Sequence, residues 1–130
     1  MKILVVDDDP LTLEAIAHCL RPEGIKVITA GNGFEAISLA QSSNFDLIIS
    51  DILMPDMSGL SLLCLLKQFY FNRIPVIIIS SLDKADVILS TLGLGADDFI
   101  CKPIDYNQFS SRVKSYINKT DGGKGKNIAN

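Results

Sequence analysis

The chain has 130 residues, 48% of them apolar, and a net charge of −3, enough for one domain with a sizeable core. It has no apolar run near the roughly 20 residues of a bilayer span. It meets acidic residues at Asp7, too early for a secretory leader, and it lacks a basic block before its last few residues, which argues against a membrane or a nucleic acid as partner of the domain itself.

Lys2 to Val6 predicts a short apolar strand. It runs into Asp7-Asp8-Asp9-Pro10, where Pro10 suits the first turn of a helix and an Asp before it can cap the free N–H groups. Leu11, Leu13, Ile16, Ala17 and Leu20 recur at helical spacing up to a stop at Pro22-Glu23-Gly24. Lys26 to Ala30 is a second strand, and Gly31-Asn32-Gly33 a turn with glycine where positive φ is expected. Phe34, Ala36, Ile37, Leu39 and Ala40 form a second helical stripe. Leu47, Ile48, Ile49 and Ile52, around Ser50 and Asp51, read as a strand buried on both faces. Pro55 then forces the chain out as a loop.

A third helix is expected from about Ser58 to Phe69 and another buried strand at Pro75 to Ser80. A short helix follows from Ala85 to Leu92, weakened by Gly93 and Gly95. Asp98 to Cys101 is a fifth strand, and Asp105 to Ile117 a last amphipathic helix with Phe109, Val113, Tyr116 and Ile117 on one face. Strand and helix alternate five times, the pattern of an α/β domain with a parallel sheet covered on both faces. Residues 119–130 carry three glycines and three lysines; they bury too little to order themselves and read as a flexible tail or the start of a linker. Cys19, Cys64 and Cys101 lie far apart among apolar neighbours and read as reduced core residues of a cytoplasmic protein.

Chemistry gathers at strand ends. Asp7, Asp8 and Asp9 follow the first strand, Asp51 closes the third, Ser80 and Ser81 the fourth, and Lys102 the fifth. In a parallel sheet with right-handed crossovers these ends share one edge, where ligands of open α/β sheets bind. Carboxylates converging there repel unless a hard cation sits among them. Few protein ligands, with room for water and a phosphate, suit Mg²⁺ better than an all-protein calcium cage. A carboxylate beside a divalent ion, a hydroxyl and a lysine is a phosphoryl-transfer constellation with the Asp as nucleophile. Each residue alone has a plainer reading: Asp9 as a helix cap, Asp51 as a loop cap, Lys102 as a surface charge, and His18 as a surface or packing residue. Their coincidence at successive strand ends favours the chemistry.

Four blocks, VVDDDP from Val5, SDILMPDMSG from Ser50, PVIIISS from Pro75 and GADDFICKP from Gly95, closely resemble the receiver domains of two-component response regulators, over about residues 1–118. The resemblance implies a flavodoxin-like, doubly wound five-stranded parallel sheet of order 2-1-3-4-5. It implies phosphorylation of Asp51 from the phosphohistidine of a histidine kinase or phosphotransfer protein. Asp8, Asp51 and the backbone carbonyl of Leu53 would hold Mg²⁺, with Asp7 reaching it through water. Ser80 matches the switch hydroxyl, Lys102 the invariant lysine, and Phe99 the switch aromatic. The family often has Tyr at that last position, so any signal through Phe99 must be packing alone.

The resemblance further implies an output surface on the fourth helix, fifth strand and fifth helix for a downstream protein or output domain, with a phosphorylation-linked homodimer as a further partner. It implies a cytoplasmic switch that catalyses only its own phosphoryl uptake and loss. Two variable positions border the path of hydrolytic water; here they are Leu53 and Leu82. Neither can orient or deprotonate a water, so the phosphoryl group is expected to be long-lived.

Two rivals are weaker. Gly31-Asn32-Gly33-Phe34-Glu35-Ala36 fits G-x-G-x-x-A, with acidic Asp51 20 positions on, the dinucleotide-binding pattern on paper. It follows the second strand, however, and its acidic residue already belongs to the acid cluster. A haloacid dehalogenase-type phosphatase motif begun at Asp7 would need Thr or Val where Leu11 stands.

Overall fold

The computed structural model describes residues 1–70 and 74–129, with side chains described for 1–68 and 74–117. Strands β1 (Lys2–Val6), β2 (Lys26–Ala30), β3 (Leu47–Asp51), β4 (Val76–Ser80) and β5 (Asp98–Cys101) form one sheet in the order β2-β1-β3-β4-β5. Every pairing is parallel. Helices α1 (Pro10–Leu20), α2 (Gly33–Ser42), α3 (Gly59–Leu65), α4 (Ala85–Gly93) and α5 (Tyr106–Ala129) connect and cover the strands.

The period-2 alternation of the strands splits the core in two. Ile3, Val5, Leu47, Ile49, Ile77, Ile79 and Ile100 face one way and pack with Ile16 and Leu20 of α1 and Phe109 and Val113 of α5. Leu4, Val6, Ile48, Val76, Ile78 and Phe99 face the other way and pack with Ala36 and Ala40 of α2 and Leu62 and Leu63 of α3. The sheet is therefore doubly wound, with β1, β3 and β4 interior and β2 and β5 at its edges. The strand order reverses about β1, whose neighbours are β2 and β3, and this is the place where open α/β sheets form their crevice.

Local chemistry explains the boundaries. Asp9 caps α1, its Oδ1 accepting from the Leu11 N–H at 3.0 Å with Pro10 at the first helical position. Asn32 caps α2 by accepting from the Glu35 N–H at 2.8 Å, and the Ser58 Oγ caps α3 by accepting from the Ser61 N–H at 3.2 Å.

Several expectations need correction. Only Gly24 and Gly95 have positive φ among the described glycines, so neither Gly31 nor Gly33 is there for conformational freedom. Gly95, at φ +115, lies past the end of α4 and stops the chain rather than weakening the helix; only Gly93 lies within it. α3 leaves α-geometry at Leu65 and continues as a π turn over Leu66–Tyr70. The backbone of α5 runs on to Ala129, past the expected stop at Ile117. The side chains of the expected tail lie outside the described residues. The cysteines are free, but none is fully buried: Cys19 and Cys64 are half-buried and Cys101 is exposed. Cys101 ends an edge strand, where neighbours exist on one side only.

Candidate functional site

The carboxyl ends of β1, β3 and β5 bring three sequence-predicted acids and the lysine together. Asp7 is fully buried and Asp51 nearly so, while Asp8 is exposed. Oxygens of Asp7, Asp8 and Asp51 lie within 4.8 Å of one another. Lys102 spans the gap, its Nζ 3.0 Å from Asp51 Oδ2 and 3.2 Å from Asp7 Oδ2. This ammonium reaches across from the end of the edge strand to residues 51 and 95 positions earlier in the sequence.

The backbone braces both buried acids. The Asp9 N–H donates to Asp7 Oδ1 at 2.9 Å, and the Leu53 N–H donates to Asp51 Oδ1 at 3.3 Å. Burial pushes the Asp7 carboxyl above its ordinary range; the Asp9 amide opposes that shift, the Asp51 charge adds to it, and Lys102 opposes it. Burial acts against the Lys102 charge, yet its hydrogen bond to Asp51 and the two carboxylate charges hold the ammonium above its usual range. Lys102 is therefore a fixed cation aimed at Asp51.

Three carboxyl groups share a single ammonium, which leaves the pocket short of positive charge. The donors are all oxygen, and the Asp8 carboxylate takes no hydrogen bond from the described residues. The set fits a hard divalent cation with positions left for water or a phosphate.

The remaining predicted residues sit around this cluster rather than in it. Ser80 is fully buried at the end of β4; its Oγ accepts from the Leu82 N–H at 3.1 Å, and its carbonyl accepts from the Lys102 N–H at 2.8 Å. No hydrogen bond joins it to the acids among the described residues. Phe99 is 7% exposed and belongs to the apolar cluster on the far face of the sheet, against which Val87 and Ile88 of α4 also pack. Leu53 and Leu82 are 52% and 38% exposed, so neither is a core residue. Asp9 is an N-cap, as its position before Pro10 suggested, and its N–H also braces Asp7, which the sequence did not suggest.

Gly59 is a residue to which sequence reasoning gave no role. Its N–H donates to the Ile52 carbonyl at 2.8 Å, and a Cβ there would collide with the Asp51 carbonyl. The loop leaving Asp51 can fold back on itself only because this position lacks a side chain. The glycine was visible in the sequence, but what it clears was not, since the clash involves the backbone of the preceding strand.

Comparison with known proteins agrees with this geometry. The family profile described as "Response regulator receiver domain" matches residues 3–114. The chain is 35% identical over 128 residues to the transcriptional regulatory protein PmrA of Pectobacterium parmentieri, covering 98% of this chain and 57% of that protein. It is 33% identical to the probable transcriptional regulatory protein TcrX of Mycobacterium tuberculosis, covering 92% of this chain and 51% of the relative. It thus spans about half the length of the curated relatives it matches. Among solved structures, the Francisella response regulator 1452 receiver domain superposes with a TM-score of 0.87 at 35% identity, covering 92% of this chain and 98% of that one. The response regulator TrrA of Thermotoga maritima, solved in complex with Mg²⁺-BeF, superposes at 0.80 with 32% identity, covering 88% and 97%.

Proposed function

Because the chain belongs to the response regulator receiver domain family, we propose that it is a phosphorylation-dependent signalling switch whose phosphoacceptor is Asp51. The observation that carries the assignment is the Lys102 ammonium, 3.0 Å from a nearly buried Asp51 and 3.2 Å from a buried Asp7, beside an acid cluster open toward Asp8. A carboxylate oxygen of Asp51 attacks the phosphorus of a phosphohistidine on a histidine kinase or phosphotransfer protein. The P–N bond breaks, its electron pair returns to the imidazole, and an acyl phosphate forms. Lys102 loses one carboxylate partner charge and gains a phosphoryl oxygen. Ser80, one step beyond Asp51 on the neighbouring strand, hydrogen-bonds another. Mg²⁺, held by Asp8, Asp51 and the Leu53 carbonyl and reached by Asp7 through water, would offset the remaining phosphoryl charge.

The read-out is the surface of α4, β5 and α5. Ser80 lies in register with Cys101 on β5, and Phe99 packs in the cluster that α4 covers. A shift of Ser80 toward a phosphoryl oxygen therefore biases that edge of the molecule, by packing alone because Phe99 has no hydroxyl. The partner there is a downstream protein or output domain, or a second phosphorylated copy. The matched relatives are named as transcriptional regulators, so control of transcription is the output class we assign. DNA contact is not assigned to this domain, whose net charge is −3. We place the domain in the cytoplasm as a switch rather than an enzyme acting on outside substrates. Among the described residues no helix is long and apolar enough to cross a membrane.

Acetyl phosphate with Mg²⁺, followed by peptide mass spectrometry, tests the assignment. The expected result is one phosphoryl group on Asp51, absent in Asp51→Asn and absent without Mg²⁺. Undiminished labelling of Asp51→Asn would overturn it. Steady turnover through Asp7 would point instead to a phosphatase.

A further inference from the structure

We propose that Gly33, at the start of α2, is a positioning residue for the phosphoacceptor loop and acts through Met57. The proposal rests on the reading above, in which the Leu53 carbonyl is a metal ligand. Gly33 is buried at the first position of α2 and does not need a glycine's backbone freedom. What it supplies is space. A Cβ there would stand 2.6 Å from Met57 Sδ and 3.0 Å from both Met57 Cγ and Cβ. Turning the Met57 side chain frees Sδ and Cγ, but Cβ moves only with the backbone.

That backbone is held on every side. The Met57 N–H donates to the Pro55 carbonyl at 2.7 Å, and Asp56 before it has left-handed φ 70. Ser58 after it caps α3, and Gly59 is pinned between the Ile52 and Asp51 carbonyls. A methyl group at position 33 would therefore displace the segment 53–58 as a unit. The site uses this segment at Leu53, whose N–H already reaches Asp51 Oδ1 at a long 3.3 Å. Mg²⁺ demands near-ideal oxygen geometry, and metal distances tolerate about 0.2 Å. A displacement of a few tenths of an ångström is enough to matter.

Gly31, two residues earlier in the same G-x-G pattern, faces open space: a Cβ at that position would meet nothing within 4 Å. It is an internal control. By propensity alone, Gly→Ala at the start of a helix is neutral to favourable, so weakened metal binding in Gly33→Ala would not come from the helix.

The experiment titrates the full chain with Mg²⁺ by calorimetry and records amide and Met methyl NMR spectra without metal. It compares the native chain, Gly31→Ala, Gly33→Ala, Met57→Gly, and Gly33→Ala combined with Met57→Gly, which removes the Cβ that a turned methionine would leave in place. Gly31→Ala should bind like the native chain and Gly33→Ala about tenfold more weakly. The double change should return to within about twofold, the signature of a coupling that runs through Met57. In metal-free protein, Gly33→Ala should shift the resonances of 53–58 and Gly31→Ala should not. Native-like affinity in Gly33→Ala, or a double variant as weak as the single one, overturns the proposal. If the native chain takes up no Mg²⁺, the metal assignment falls instead; unmoved resonances of 53–58 in Gly33→Ala would then overturn the positioning role on their own.

Discussion

The two ends of the proposed signalling path are built differently. Around Asp51 the structure is tight. All five residues of β3 are buried, Lys102 and two backbone N–H groups fix the acids, and Gly59 leaves no room beside the Asp51 carbonyl. Around α4 it is loose. Thr91 is the only buried residue of that helix, Leu89 is 69% exposed, and Lys84 before it provides no side-chain cap. The strand beneath it is an edge with a neighbour on one side. A site that exchanges a phosphoryl group needs groups preorganised in place. A surface that reports the exchange needs an element whose alternatives lie within a few kcal/mol. Under the proposed function, the two requirements fall at separate places in this chain, joined through β4 and β5.

The largest effect should come from breaking the tight end. Gly59→Ala sets a methyl group against the Asp51 carbonyl and is expected to cost about 3 kcal/mol in stability and most phosphoryl uptake, checked by urea melts and acetyl phosphate labelling. A variant with native stability and native labelling would show that the loop yields easily and that the site is not rigid.

Next is the mouth of the site. Leu53 and Leu82 are exposed beside Asp51 and Ser80, and each is tied to its neighbour by its own N–H. Leu53→Asn with Leu82→Glu supplies groups able to orient or deprotonate water, and dephosphorylation should speed by at least about tenfold. The decay of the phosphoryl group after donor removal measures it; equal rates would mean that neither leucine guards the water path.

A third measurement maps how the bias spreads. Beryllofluoride with Mg²⁺ should move amide signals of 83–102, which include α4 and β5, more than those of 36–43 in α2. An equal or reversed pattern would erase the distinction between a tight site and a loose reporter.

The smallest expected effect sharpens the loose end. Nothing lies within 4 Å of a side-chain carbon at Gly93, so Gly93→Ala should stabilise α4 by up to about 1 kcal/mol. The thermal midpoint checks the gain, and smaller beryllofluoride-induced shifts in 83–102 would tie the helix's looseness to its role.

The fold was legible because its signals are local. Five short apolar runs separated by helical stripes prescribe alternation, and an Asp before Pro10 marks where the first helix begins. The acids at the ends of β1 and β3 and the lysine at the end of β5 were legible as a site because parallel strands put their carboxyl ends on one edge. The roles of the small and exposed residues were not. Gly31 and Gly33 look alike in the sequence, yet one faces open space and the other faces Met57. Cys101 resembles Cys19 in its apolar setting, yet it ends exposed on an edge strand.

By itself the sequence determined which segments are strands and helices, and which charged groups stand at strand ends, since periodicity, capping and proline act within a few residues. Only the tertiary structure decided that Lys102 touches both Asp7 and Asp51 and that Ser80 stays out of hydrogen-bond reach of the acids. It also decided that Gly59 and Gly33 are required by what packs against them. Those are contacts between residues distant in the chain, measured in tenths of an ångström, and such distances are set by how the layers pack rather than by what each segment prefers alone.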